Sequence, residues 1–149
     1  MTATQTYHLF VRATPRQIWD AITRPELSAG YLFGALVETT AEIGAPFLYH
    51  SPDRTTLWGD DIVLDADPPY RLVVSYRGLY NPDLAAEPAS RVTWQVDPDQ
   101  DGVSLLTVVH DHLEHAPRTA ERVAGAGWMR VLSGLKTLLE TGKPLGPEV

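Results

Sequence analysis

The chain has 149 residues, 19 of them acidic against 12 basic, and a net charge of −7. With no basic cluster to offset that balance, nucleic acid and anionic membrane are excluded as leading partners. Cysteine is absent, which removes disulfides and thiolate chemistry.

The length suits one domain over residues 1–149, with an ordered core over about 6–142 that can bury its apolar surface without staples. No run of about 18 apolar residues and no basic-then-apolar leader at Met1 occurs, so a soluble, cytoplasmic chain is expected. Residues Lys143 to Val149 read as a loose tail.

Tyr7 to Ala13 has the β-branched and aromatic content of a first strand. Thr14 then supplies a helix N-cap, Pro15 takes the first helical position, and Ile18, Trp19 and Ile22 share one side of a short helix that ends before Pro25. Pro25-Glu26-Leu27 opens a second short helix. Leu36 to Thr40 and Pro46 to His50 form a hairpin around Glu42-Ile43-Gly44-Ala45.

Four more strands are expected at Trp58 to Leu64, Leu72 to Tyr76, Arg91 to Val96 and Val103 to Leu113. They are separated by Asp67-Pro68-Pro69, a long loop from Gly78 to Pro88, and the turn from Asp97 to Gly102. Connections this short imply an antiparallel meander. At period two, Ile62, Leu64, Leu72, Val74, Tyr76, Val92, Trp94, Val96, Leu106 and Val108 face one side. Arg71, Ser75, Arg91, Thr93, Gln95 and Thr107 face the other, which is wet. The apolar side needs a cover.

The last segment provides it. From Pro117 to Thr141, Ala124, Trp128, Val131, Leu132, Leu135, Leu138 and Leu139 fall on one helical face, with Arg122, Arg130, Ser133, Thr137 and Glu140 opposite. One helix of that span is about 37 Å long. Gly142 suits its C-terminal cap and Pro144 prevents continuation. Gly127 and Gly134 lie on one margin of the apolar face, which implies close approach by another element or space left open beside the helix. The inferred fold is α+β: a curved antiparallel sheet of about seven strands around a long C-terminal helix, with two short N-terminal helices.

These residues resemble a known family. Ala13-Thr14-Pro15-Arg16-Gln17-Ile18-Trp19-Asp20-Ala21-Ile22-Thr23-Arg24-Pro25-Glu26, Asp67-Pro68-Pro69-Tyr70-Arg71-Leu72 and Leu106-Thr107-Val108-Val109-His110 match the START-related (SRPBCC) proteins of the helix-grip, Bet v-like fold. So do Gly127-Trp128, Val131-Leu132, Leu135-Lys136 and Leu139-Glu140-Thr141-Gly142, and the branch is the one named for activators of a heat-shock protein ATPase. The resemblance spans nearly the whole chain. It implies lipid carriers, hormone receptors, polyketide cyclases or co-chaperones as functional relatives, and so is specific for fold rather than function. The sequence departs from the pattern at Tyr31-Leu32-Phe33, where many members have a tryptophan, and in the Pro-, Asp- and Glu-rich 78–88 loop.

A ligand-binding site is expected at Tyr49, Trp58, Asp60, Tyr76, Trp94, His110, Gly127, Trp128, Val131 and Leu135, where polar groups join an apolar inner face. The bland reading leaves Asp60 and His112 in water at strand ends, with Tyr76 and His110 satisfying each other or backbone. His110, facing the long helix by strand phase and by the resemblance, is the best single candidate. Trp19 reads as a core anchor; Trp58 and Trp94 suit either core or cavity wall.

His110, His112, Glu114 and His115 invite a metal reading, but no HExxH or matched carboxylate motif accompanies them, and none is assigned. Asp60 and Asp61 are strand neighbours and cannot converge on one substrate. No nucleophile motif surrounds any serine, and Gly125-Ala126-Gly127 is read as lying inside the helix, so no cofactor is assigned.

The leading expectation is a binding protein for a small, largely apolar molecule. The alternatives are a polyketide cyclase or hydrolase-like enzyme using His110 with Tyr76 or Asp60, and an interaction protein that aids a chaperone, as the resemblance implies. A homodimer is possible through the outer sheet face or the 78–88 loop.

Overall fold

The structure, a computed structural model, describes residues 4–124 and 126–146; parts of the expected tail, and Gly125, lie outside the described residues. In chain order the elements are β1 (Gln5–Val11), α1 (Pro15–Thr23), α2 (Pro25–Ser28), β2 (Leu36–Thr39), β3 (Pro46–His50), β4 (Leu57–Asp67), β5 (Arg71–Tyr76), α3 (Pro82–Ala85), β6 (Ser90–Pro98), β7 (Ser104–Asp111), α4 (Pro117–Val123) and α5 (Ala126–Thr141). The seven strands form one antiparallel sheet in the order β1-β7-β6-β5-β4-β3-β2. The meander runs from β2 to β7, and β1 closes on its far side against β7.

Local chemistry sets the early elements. Thr14 and Gln17 cap α1 reciprocally: the Gln17 amide donates to Thr14 Oγ1 at 3.2 Å and the Thr14 amide to Gln17 Oε1 at 2.8 Å. Ile18, Trp19 and Ile22 of α1 are buried, so Trp19 is a core anchor. Ser28 ties α2 to β2, donating to the Ala35 carbonyl at 2.9 Å and accepting from the Val37 amide at 3.0 Å. The Ser28 pair is buried, where an unpaired polar group would be costly.

Leu72, Val74, Val92, Trp94, Val96, Leu106 and Val108 form the buried inner face of the sheet. Trp128, Val131, Leu132 and Leu135 of α5 pack on it. The apolar stripe on the helix thus meets the apolar face of the sheet, each removing the other's surface from water.

Two expectations need correction. In β4 the side-chain phase is reversed: Ile62 and Leu64 are 49% and 47% exposed, whereas Asp61 and Val63 are 3% and 1% exposed. Cross-strand pairing decides this, because Phe47 faces Asp61, Tyr49 faces Gly59 and Val63 faces Val74. A one-residue slip sends every side chain to the other face, and the more apolar set is here outside. A register shift between Val63 and Asp65 then bends the strand.

The second correction is the long helix, which is broken. Ala124 is extended (φ −64, ψ 152), and α4 and α5 are separate. The two glycines within 124–127 lower the helix propensity there. A Cβ on Gly127 would lie 3.1 Å from the Arg122 carbonyl oxygen, so α5 starts tight against the last turn of α4. The gripped helix is therefore 16 residues long, about 24 Å. A third short helix, α3, sits inside the expected 78–88 loop. Among the described residues, no helix is long and apolar enough to cross a membrane.

Candidate functional site

Between the sheet, α4 and α5 lies a cavity of about 490 Å³. Its floor and walls are aromatic and aliphatic. Tyr49 from β3, Trp58 from β4, Tyr76 from β5, Val92 and Trp94 from β6, and Gly127, Trp128 and Val131 from α5 all line it. The structure brings Tyr49, Trp58, Tyr76, Trp94, Gly127, Trp128 and Val131 together at one volume; Trp58 reaches it against the alternation of β4, at the register shift between Tyr49 and His50.

The expected pair of glycines splits into two functions. Gly127 lines the cavity. Gly134 does not: a Cβ there would come within 3.1 Å of Tyr31 Cβ, so it admits the segment after α2. Tyr31 is locked in turn by its hydroxyl, which donates to the Ala21 carbonyl at 2.7 Å. Gly59 serves a third close approach, since a Cβ would lie 2.6 Å from Tyr49 Cδ2. The missing side chain is what lets the Tyr49 ring lie across β4.

Three expected site residues are not on the cavity wall. Asp60, on the solvent side of β4, pairs with Arg77 at 3.3 Å. Leu135 is fully buried core. His110 is fully buried behind Trp128, and its surroundings fix its chemistry. The Trp128 indole N–H donates to His110 Nδ1 at 3.0 Å, so Nδ1 is the bare nitrogen and the proton is on Nε2. Nε2 donates to Ser90 Oγ at 2.7 Å, and Ser90 Oγ donates to the Tyr76 carbonyl at 3.2 Å. Burial lowers the His110 pKa to about 4, against a small upward pull from Asp111. A proton on Nδ1 would also oppose the indole N–H. With both nitrogens engaged, His110 has no lone pair to offer a substrate.

The ring of His110 meets Tyr76 edge-on at 5.2 Å and Trp128 at 5.9 Å, while Trp94 meets Trp128 edge-on at 5.5 Å. In this stack Tyr76, Trp94 and Trp128 face the cavity and His110 packs behind them. His112 departs from the strand: it is exposed, with φ 57.

The buried carboxylate is Asp61, where the sequence pointed to Asp60. Its Oδ1 accepts from Ser75 Oγ at 3.1 Å, whereas Oδ2 is buried with no hydrogen-bond partner. Burial raises its pKa to about 7, with the Ser75 hydrogen bond pulling the other way and Asp60 adding to the rise. The Tyr49 hydroxyl is held well above the phenol range by desolvation and then by Asp61. Tyr76 is raised by burial and then by Tyr80, whose hydroxyl oxygen is 3.5 Å away. Tyr49 and Tyr76 are therefore neutral donors.

Sequence reasoning missed the rim. Leu32, Phe33, Ala35, Arg77, Tyr80, Arg122 and Val123 also line the cavity. Phe33 is 67% exposed at a left-handed backbone position, φ 55, and the Arg122 guanidinium lies 5.8 Å from the centre of the Tyr80 ring. The available signal was departure from the family pattern, since Tyr31-Leu32-Phe33 and the 78–88 loop supply Leu32, Phe33 and Tyr80.

The rim is held by Glu87, which accepts from the Arg118 and Thr119 amides at 2.9 and 2.7 Å and from Thr119 Oγ1 at 2.8 Å. It takes the place of a side-chain N-cap that α4 lacks. Arg118 also pairs with Asp83 of α3 at 3.0 Å, and the Leu79 amide donates to the Trp58 carbonyl at 3.0 Å.

An antiparallel sheet gripping a C-terminal helix, with an aromatic cavity between them, defines a helix-grip domain of the START-related class. The sequence matches the family described as Activator of Hsp90 ATPase homolog 1-like protein over residues 12–140, and the chain belongs to that family. No curated protein sequence matches it.

Similar solved structures include CalU16 from Micromonospora echinospora, with a TM-score of 0.70 and 20% identity over 95% of this chain and 76% of that one. MLL2253 from Mesorhizobium loti has a TM-score of 0.73 and 22% identity over 92% and 96% of the two chains. The Aha1 dimer from Colwellia psychrerythraea has 0.65 and 14% over 94% and 98%. At these identities the likeness is one of fold.

Proposed function

We propose that this single-domain protein binds a small, largely apolar ligand in the cavity between the sheet and α5. The observation that carries the reading is the 490 Å³ volume itself, kept open among Trp58, Trp94, Trp128, Tyr49 and Tyr76. Interiors are otherwise close-packed, and pockets for small ligands are concave, mostly apolar and furnished with a few polar groups.

A thermal-shift panel of fatty acids, aromatic polyketides and steroids tests this, alongside mass spectrometry of whatever co-purifies. A ligand at a hundred times its Kd stabilises by about 2.7 kcal/mol. The stabilisation should weaken in Val131→Phe, whose larger side chain intrudes into the volume. No stabilising ligand in the panel and nothing co-purifying would end the proposal.

A cyclase-like enzyme draws less support. His110 has both nitrogens engaged and Asp60 is outside the cavity. The family's name motivates a chaperone partner, for which pull-down with an Hsp90-type chaperone is the test. A structural motive for self-association is the half-exposed Ile62 and Leu64 on the outer face of β4, and the Colwellia relative is described as a dimer. Light scattering on Ile62→Lys against the parent chain would decide it.

A further inference from the structure

We infer that the ligand is an apolar acid, its ring or chain inside the cavity and its carboxylate held at the rim by Arg122 and Arg77. The inference rests on the cavity being a ligand site, and it adds the charge of what enters.

Two charged residues line the cavity and both are arginines, in a chain with 19 acidic residues against 12 basic. Among the described residues no lining side chain is a carboxylate, and the one acid beside the rim, Asp60, already faces Arg77. Arg122 makes no ion pair within the described residues and instead lies beside the Tyr80 ring. A guanidinium is weakly hydrated, tolerates an aromatic face and keeps its in-plane N–H donors for a carboxylate fork.

Arg77 is held more loosely than its pairing suggests. Its contacts to Asp60 are 3.3 and 3.4 Å, with the two side chains 38% and 42% exposed. A pair so placed contributes little and can be exchanged for a better-oriented anion. Asp60 is thus a competitor that an entering carboxylate displaces. The Tyr76 and Tyr80 hydroxyls stand beside this rim as further donors. Exposed Phe33 gives the aromatic part of an incoming ligand a first contact.

The test uses the full chain at low salt and two matched probe pairs, naphthalene carboxylate with naphthalene carboxamide and decanoate with decanamide. Binding is read by quenching of tryptophan fluorescence. Each acid should bind about tenfold or more tighter than its amide, as a charge-assisted pair at the edge of an apolar site allows. Arg122→Gln should remove most of that preference, weakening each acid far more than its amide. Arg122→Lys should retain part of it, and Arg77→Gln should weaken each acid more than its amide.

Equal affinity for acid and amide in the parent chain, or equal weakening of both by Arg122→Gln, overturns the inference while the cavity reading stands. Failure of all four probes to bind overturns both.

Discussion

The Trp128 indole N–H points at Nδ1 of His110 from 3.0 Å, joining the gripped helix to the last strand through a buried hydrogen bond. The contact makes His110 a neutral Nε2–H tautomer that passes a hydrogen bond on to Ser90. Nitrogen-detected NMR should show that tautomer and a titration near pH 4. Trp128→Phe would leave Nδ1 buried without a partner, at a cost of about 1–3 kcal/mol. It should also raise the His110 pKa, because the donor opposing protonation is gone. A His110 that titrates like a solvent-exposed imidazole would contradict the arrangement.

Asp61 and His110 make opposite contributions to pH stability. Asp61 rises from 3.8 to about 7 on folding, so the native state holds its proton through that window and stability from this group falls as pH rises from about 4 to 7. His110 drops from 6.5 to about 4, so the unfolded state holds the extra proton and stability from this group rises with pH between about 4 and 6.5. The two slopes nearly cancel. Asp61→Asn keeps the shape and removes one slope. Urea titrations should show the variant gaining stability with pH across that range and exceeding the parent by roughly 4 kcal/mol at pH 7.5.

Gly59→Ala should destabilise by about 1–3 kcal/mol, because its Cβ would stand 2.6 Å from the ring of Tyr49 and the ring must move. The direction left to Tyr49 is the cavity it already lines, so ligand affinity should fall with stability. Denaturant unfolding and a binding titration check the two effects separately.

Glu87→Ala removes the acceptor for two amides of the first turn of α4. The expected loss is about 1 kcal/mol, the scale of a helix cap. Hydrogen exchange at Arg118 and Thr119 should accelerate, while the core amides of β6 and β7 change only with global stability. Unchanged exchange at both residues would show that Glu87 does not hold the rim.

The positions of nearly every strand and of the first helices were written locally. Thr14-Pro15 fixes a helix start, Pro and Gly punctuate the strands, and hydrophobic spacing gives β5, β6 and β7 their inner faces. Those signals act over a few residues, so they survive without knowledge of partners. The aromatic half of the cavity was legible for the same reason: Trp94, Tyr76 and Trp128 keep the phase of their own elements.

Tertiary structure alone decided the phase of β4, the break at Ala124 and the makeup of the rim. Ile62 and Leu64 are more apolar than Gly59 and Asp61, so local pattern favours the wrong face, and only pairing with Phe47, Tyr49 and Val74 reverses it. The helix break needs the close approach of Gly127 to the Arg122 carbonyl. Arg77, Tyr80 and Arg122 come from a strand end, a loop and a helix face that reads as solvated. Their convergence depends on how α3 and α4 fold over the sheet, which no local periodicity encodes.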